Sequence, residues 1–172
     1  MMQRLLFILF LLFLFMLEGT VMQFLVPDVW GANWTVVPAF SLVMVVLISF
    51  YFPGHQGIAY GSILGLMHDL TFGHVIGAYL FSFTLAAYFT EQMAKQYRRH
   101  SVLVVVATLV ALTMQLFVIY GLYSLFDITQ MGWNWMVYRL LVPSLLFNVL
   151  FTIVLLRPLK RWLAKMGASV EE

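Results

Sequence analysis

Long apolar runs alternate along the chain with short clusters of Pro, Gly, charged and amide residues. Cut at those clusters, the runs cover about residues 5–26, 35–52, 57–72, 76–92, 102–126 and 136–156. The cuts fall at PDVWGANW, FPGHQG, FGH, the basic run KQYRRH and DITQMGWNW. Pro and Gly with polar neighbours are the usual punctuation of such runs. A helix needs roughly 20 apolar residues to cross ~30 Å of hydrocarbon. The pattern therefore predicts an all-α polytopic membrane protein, with about six transmembrane helices in a single membrane domain over residues 1–172. The third run is the short one, only ~24 Å as a helix. It must be buried among its neighbours or partly re-entrant. The first run has the basic start (Arg4) and apolar stretch (Leu5 to Leu17) of a signal peptide. Its apolar character resumes after Glu18-Gly19-Thr20 without a small-x-small cleavage pattern, so residues 5–26 read as a first span.

Positive charge orients the spans. Arg4 precedes span one, Lys95, Arg98 and Arg99 follow span four, and Arg157, Lys160, Arg161 and Lys165 follow span six. Six spans put all of these on one side and leave only Arg139 near the other, which predicts that both termini are cytoplasmic. Trp30, Trp34, Trp133 and Trp135 then fall at the outer interface and Trp162 at the inner one, as an aromatic belt requires. The cytoplasmic basic segments KQYRRH and RPLKRWLAK first determine topology, and secondly could meet anionic lipid or a cytoplasmic partner.

One row of residues departs from simple hydrophobicity. Gly57, Gly61, Gly65, Asp69, Gly73 and Gly77 recur at intervals of four. On a helix such a row is one ridge, and three glycines on it make a groove through which a neighbouring backbone can approach closely. Asp69 sits where its own helix dipole disfavours negative charge. Gly73 is a candidate for the left-handed residue that ends the helix. Asp69 is thus expected to accept hydrogen bonds from the free N–H groups opening span four and to fasten a tight helix–helix joint. His68 lies about 100° round the helix from Asp69, and His74 lies in the turn. The spacing HDxxxxH is no helical ligand pair, so a joint is favoured over a metal site or a proton relay.

Ionisable groups inside spans are costly. Glu18, Asp69 and Arg139 all fall in the outer half, which predicts a buried polar cluster with Arg139 paired to Asp69 or Glu18. The competing reading has Arg139 snorkelling to headgroups. On span six, Pro143 removes a helix hydrogen bond and is expected to kink the helix, with neighbours satisfying the freed carbonyl. Asn148, near mid-membrane, is expected to bond across an interface with another helix.

Composition narrows the chemistry. The chain is 63% hydrophobic and 9% charged, which leaves too little polar surface for a soluble domain of this size. The net charge of +2 lies on short flanks and gives no nucleic-acid surface. With no cysteine, disulfides, thiolate metal sites and Cys nucleophiles are excluded. Serines are scattered and acids isolated, so no catalytic constellation, metal cluster or cofactor site is read.

The row Gly61, Gly65, Leu66, Asp69, Gly73, Gly77, together with PSLLFNVLFTIVLLRP carrying Pro143, Asn148 and a closing Pro158, resembles the MreD family of rod shape-determining membrane proteins. The Glu-Gly-Thr of span one is similar to some members. The resemblance covers essentially the whole chain. It implies a non-enzymatic scaffold subunit of the bacterial elongation machinery, multi-pass in the cell membrane. It also implies partners: a bitopic MreC-like protein, the MreB filament, the RodA glycosyltransferase and a penicillin-binding transpeptidase. The implied fold is similar to the substrate-binding subunits of energy-coupling-factor transporters. The rival reading is a solute-binding subunit of a transporter, using the outer-half polar cluster as a pocket. Against it, span one reads LLFILFLLFLFML, bulky where such subunits carry small residues to engage their transport partner.

Overall fold

The computed structural model describes residues 2–24, 34–52, 54–97 and 101–165, and every regular element among them is helical. In order these are α1 (Met2–Phe24), α2 (Phe40–Tyr51), α3 (Gln56–Phe72), α4 (Ala78–Tyr97) and α5 (Ser101–Leu125). The last helix, α6, opens as one turn at Trp133–Trp135, passes through a π-helical stretch at Met136–Leu141 and continues over Val142–Lys165. Three stretches, Met2–Val21, Val102–Leu125 and Trp133–Trp162, are long and apolar enough to cross a membrane by length and composition.

Helix α2 is the hub. All twelve of its residues are buried, and it touches α1, α3, α4, α5 and α6. The expected span over 35–52 is corrected here: only Phe40–Tyr51 is helical, and residues 34–39 have no regular structure. Pro38 supplies a local reason, because it has no N–H and steers the residue before it away from helix. Twelve helical residues cover ~18 Å, less than the thickness of the hydrocarbon.

Around this hub each helix shows one apolar stripe inward and another outward. On α1, Phe7, Leu11, Leu14, Phe15 and Glu18 are buried, at the spacing of one helical face. Leu5, Leu9, Leu12 and Met16 point away, as they do on a helix bathed in acyl chains. On α6, Leu146, Leu150 and Ile153 form the corresponding exposed stripe.

The glycine row positions α3. A Cβ on Gly57 would lie 2.5 Å from the Ser49 Cα of α2. One on Gly61 would meet the Phe83 carbonyl of α4 at 3.1 Å and the Val45 side chain of α2 at 3.2 Å. One on Gly65 would lie 2.7 Å from the Leu80 Cα and 2.8 Å from the Tyr79 carbonyl. Helix α3 is therefore wedged backbone-close between α2 and α4, which is how a 17-residue helix acquires contact area without bulky side chains.

The last two members of the row act differently from the expectation. Gly73 has φ −78° and ψ 133°, so it is not the left-handed residue. That conformation belongs to Gly77, with φ +100°. Gly73 lacks a side chain for a steric reason: a Cβ there would lie 2.7 Å from the Asp69 carbonyl oxygen. Its N–H ends α3 by donating to the carbonyls of His68 and Asp69.

Candidate functional site

Asp69 is 2% exposed, and its carboxylate reaches across to the first turn of α4. Oδ1 accepts the Tyr79 N–H and Oδ2 the Leu80 N–H, each at 2.9 Å. A helix N-terminus presents unsatisfied donors and partial positive charge, and a carboxylate offsets both. Asp69→Asn keeps the shape but turns one of the two acceptors into a donor facing an N–H. We expect it to cost about 1–3 kcal/mol, seen as a lower thermal midpoint in lipid nanodiscs. Asp69→Leu, which strands both donors, should lower it further. Equal midpoints for all three proteins would contradict the capping role.

Glu18 repeats the device. The N-cap of α2, Ala39, offers no side chain that can accept a bond, and α1 supplies one instead. Glu18 Oε2 accepts the Ser41 N–H at 2.9 Å, and Oε1 lies 3.2 Å from His68 Nε2. The other ring nitrogen, Nδ1, is 2.8 Å from the Leu64 carbonyl. The imidazole is enclosed by Phe15, Phe72, Tyr79 and Phe83, with ring centroids 4.9–5.6 Å away. A third carboxylate, Glu91 on α4, lies 2.9 Å from His55 Nδ1, at the N-cap of α3.

The non-helical stretch 34–39 is held by α6. Pro143 has no N–H for the carbonyl of Arg139, four residues earlier, and that carbonyl accepts the Thr35 N–H at 2.8 Å. Ser144 Oγ accepts the Val37 N–H at 2.9 Å. Asn148, fully buried, mimics a paired strand: Oδ1 accepts the Ala39 N–H and Nδ2 donates to the Val37 carbonyl, both at 2.8 Å. Asn148 was expected to face a helix; its cross-interface partner is this non-helical backbone. Its remaining amide hydrogen goes to the Ser144 carbonyl. A π-helical stretch lies just before Pro143, and α6 continues past Pro158, which lies inside the helix.

Of the residues expected to form one buried polar cluster, Glu18 and Asp69 are buried at one level, through the adjacent residues His68 and Asp69. Arg139 is corrected: it is exposed, and its carbonyl holds the Thr35 N–H at the other end of residues 34–39 from the Ser41 that Glu18 holds. The pairs Glu18–His68 and His55–Glu91 were not anticipated from the sequence. Lys95 is exposed and donates to Gln92 at 3.3 Å, Arg161 is exposed, and Lys160 Nζ lies 5.5 Å from the Tyr51 ring centroid. Arg98, Arg99 and the Lys165 side chain lie outside the described residues. Among the described residues, no three His, Asp or Glu side chains converge as a metal-binding group.

Comparison with known proteins gives the network its setting. The family described as rod shape-determining protein MreD matches residues 3–166. The chain is similar to the rod shape-determining protein MreD of Bacillus subtilis (strain 168), 21% identical over 135 residues, covering 78% of each chain. No solved structure matches. A multi-pass arrangement of apolar helices joined by buried polar side chains, matched over nearly its whole length by one family, leads to a single assignment. The chain is a multi-pass bacterial membrane protein and belongs to the MreD family of rod shape-determining proteins.

Proposed function

We propose that this protein is a non-enzymatic scaffold subunit of the rod elongation complex, which binds a bitopic MreC-like protein and helps organise peptidoglycan synthesis. The observation that carries the reading is where the polar side chains of the bundle are spent. Glu18, Asp69, Ser144 and Asn148 are committed to backbone groups of the chain itself, so they build a rigid body and are not presented to a substrate. Membership of a shape-determining family supports the same role. Both termini are cytoplasmic in this reading, and the basic segments with Lys95, Lys160 and Arg161 face the side where an MreB filament would run. RodA and a penicillin-binding transpeptidase complete the assembly. A solute-binding subunit has less support, because Glu18 and Asp69 act as helix caps. Gentle solubilisation of crosslinked native membranes with the tagged protein should recover an MreC-like protein together with cell-wall synthases. Recovery of a transport subunit with its ATPases, or of a tightly held small molecule, would overturn the scaffold reading.

A further inference from the structure

We propose that Glu18 and His68 form a proton-binding site inside the membrane domain, a charged imidazolium–carboxylate pair that clamps α1 to the rest of the bundle. The argument begins with a count of hydrogens. The Leu64 carbonyl can only accept, so His68 Nδ1, 2.8 Å away, must carry a proton. A neutral ring would then turn the bare lone pair of Nε2 toward the Glu18 oxygen 3.2 Å away. Flipping the tautomer moves the opposed lone pairs to the Leu64 carbonyl and cures nothing. The geometry is satisfied only when the pair holds one proton more than a carboxylate and a neutral imidazole.

Two features place that proton on the ring. Glu18 Oε2 accepts the Ser41 N–H at the N-terminus of α2, which favours an ionised carboxylate. The rings of Tyr79 and Phe83, tilted 34° and 40° to His68 with centroids 5.6 and 4.9 Å away, supply polarisable surface beside a charged ring. The other groups near the pair are Asp69 on α3, whose oxygens are turned to the N–H groups of α4, and Tyr79 on α4. From α2 the pair receives a backbone N–H.

The consequence concerns α1. Away from this point its described contacts with the bundle are apolar, including Phe7 against Tyr60 of α3 and against Trp162 of α6. The proton therefore decides whether the one buried carboxylate of α1 is attracted to α3 or set against a lone pair.

Ring-nitrogen-labelled histidine in lipid nanodiscs reads the proton directly by NMR. The chain has four histidines, and His68→Gln identifies the signal. The wild-type protein should show both His68 nitrogens protonated. In Glu18→Gln the amide oxygen can still accept from Ser41 while its NH2 donates to Nε2, so the ring should become neutral and the fold remain intact. A neutral His68 ring in the wild-type protein would overturn the site. The clamp is tested with Phe7→Cys and Tyr60→Cys in this cysteine-free chain, joined by a short bifunctional thiol reagent. The α1–α3 crosslinking should be about tenfold higher with Glu18 present than in the Glu18→Gln background, where the attraction of the charged pair is absent. Equal crosslinking in the two backgrounds would refute the clamp.

Discussion

Replacing Asn148 by Leu should remove about 2–6 kcal/mol of stability. The side chain is fully buried and carries the Ala39 N–H and the Val37 carbonyl, each at 2.8 Å. Leucine would fill the space but leave both backbone groups without a partner. An unsatisfied buried group costs roughly 1–3 kcal/mol, and no water is at hand in hydrocarbon to replace the lost bond. Against a total stability of typically 5–15 kcal/mol, that is a large fraction. Asn148→Asp is the sharper test: it could still accept from Ala39, but its second oxygen would face the carbonyls of Val37 and Ser144. Both variants should lose the thermal transition of the purified protein or shift it steeply downward, and Asp should rescue nothing. A near-normal midpoint for Asn148→Leu would mean that the non-helical stretch is not anchored as described.

Gly65→Leu should be nearly as damaging, for a steric reason. The new Cβ would lie within 2.7–3.0 Å of the Leu80 Cα, the Tyr79 carbonyl and the Leu80 nitrogen, all backbone atoms that cannot rotate aside. Overpacking a core costs about 1–3 kcal/mol even where side chains can yield. Here relief requires α3 and α4 to separate, which would also draw the Tyr79 and Leu80 N–H groups away from Asp69. Gly65→Ala should show a smaller version of the same effect. Gly121→Ala on α5 has open space for its Cβ and should be neutral or stabilising by up to ~1 kcal/mol. Size-exclusion profiles and thermal midpoints of the three proteins, measured side by side, check the order. Equal behaviour of Gly65→Ala and Gly121→Ala would contradict the close approach.

Where the physics was local, the sequence was informative. A four-residue recurrence of glycine is visible because it is the helix's own ridge period, and Asp69 belongs to that ridge. The apolar runs located the helices for the same reason. Hydropathy could not divide residues 35–52 into a non-helical part and a helical part, since both parts are apolar; Pro38 was the remaining clue. The Glu18–His68 contact spans 50 positions and depends on how α1 rotates against α3, which no local pattern encodes. The placement of Arg139 failed for a related reason: which polar groups converge depends on how the helices pack, and position along a span does not give that.

The link between residues 34–39 and Asn148 also sets an order of events during synthesis. Ala39 and Asn148 are 109 positions apart, which is roughly 5–20 s of translation at ordinary rates. Throughout that interval the nascent stretch has no α6 to receive its N–H and carbonyl groups, and lipid offers them nothing. The Val37 and Ala39 backbone groups gain their Asn148 partner only once the last helix has been made. Closing this end of α2 is therefore a late event that needs the C-terminal helix.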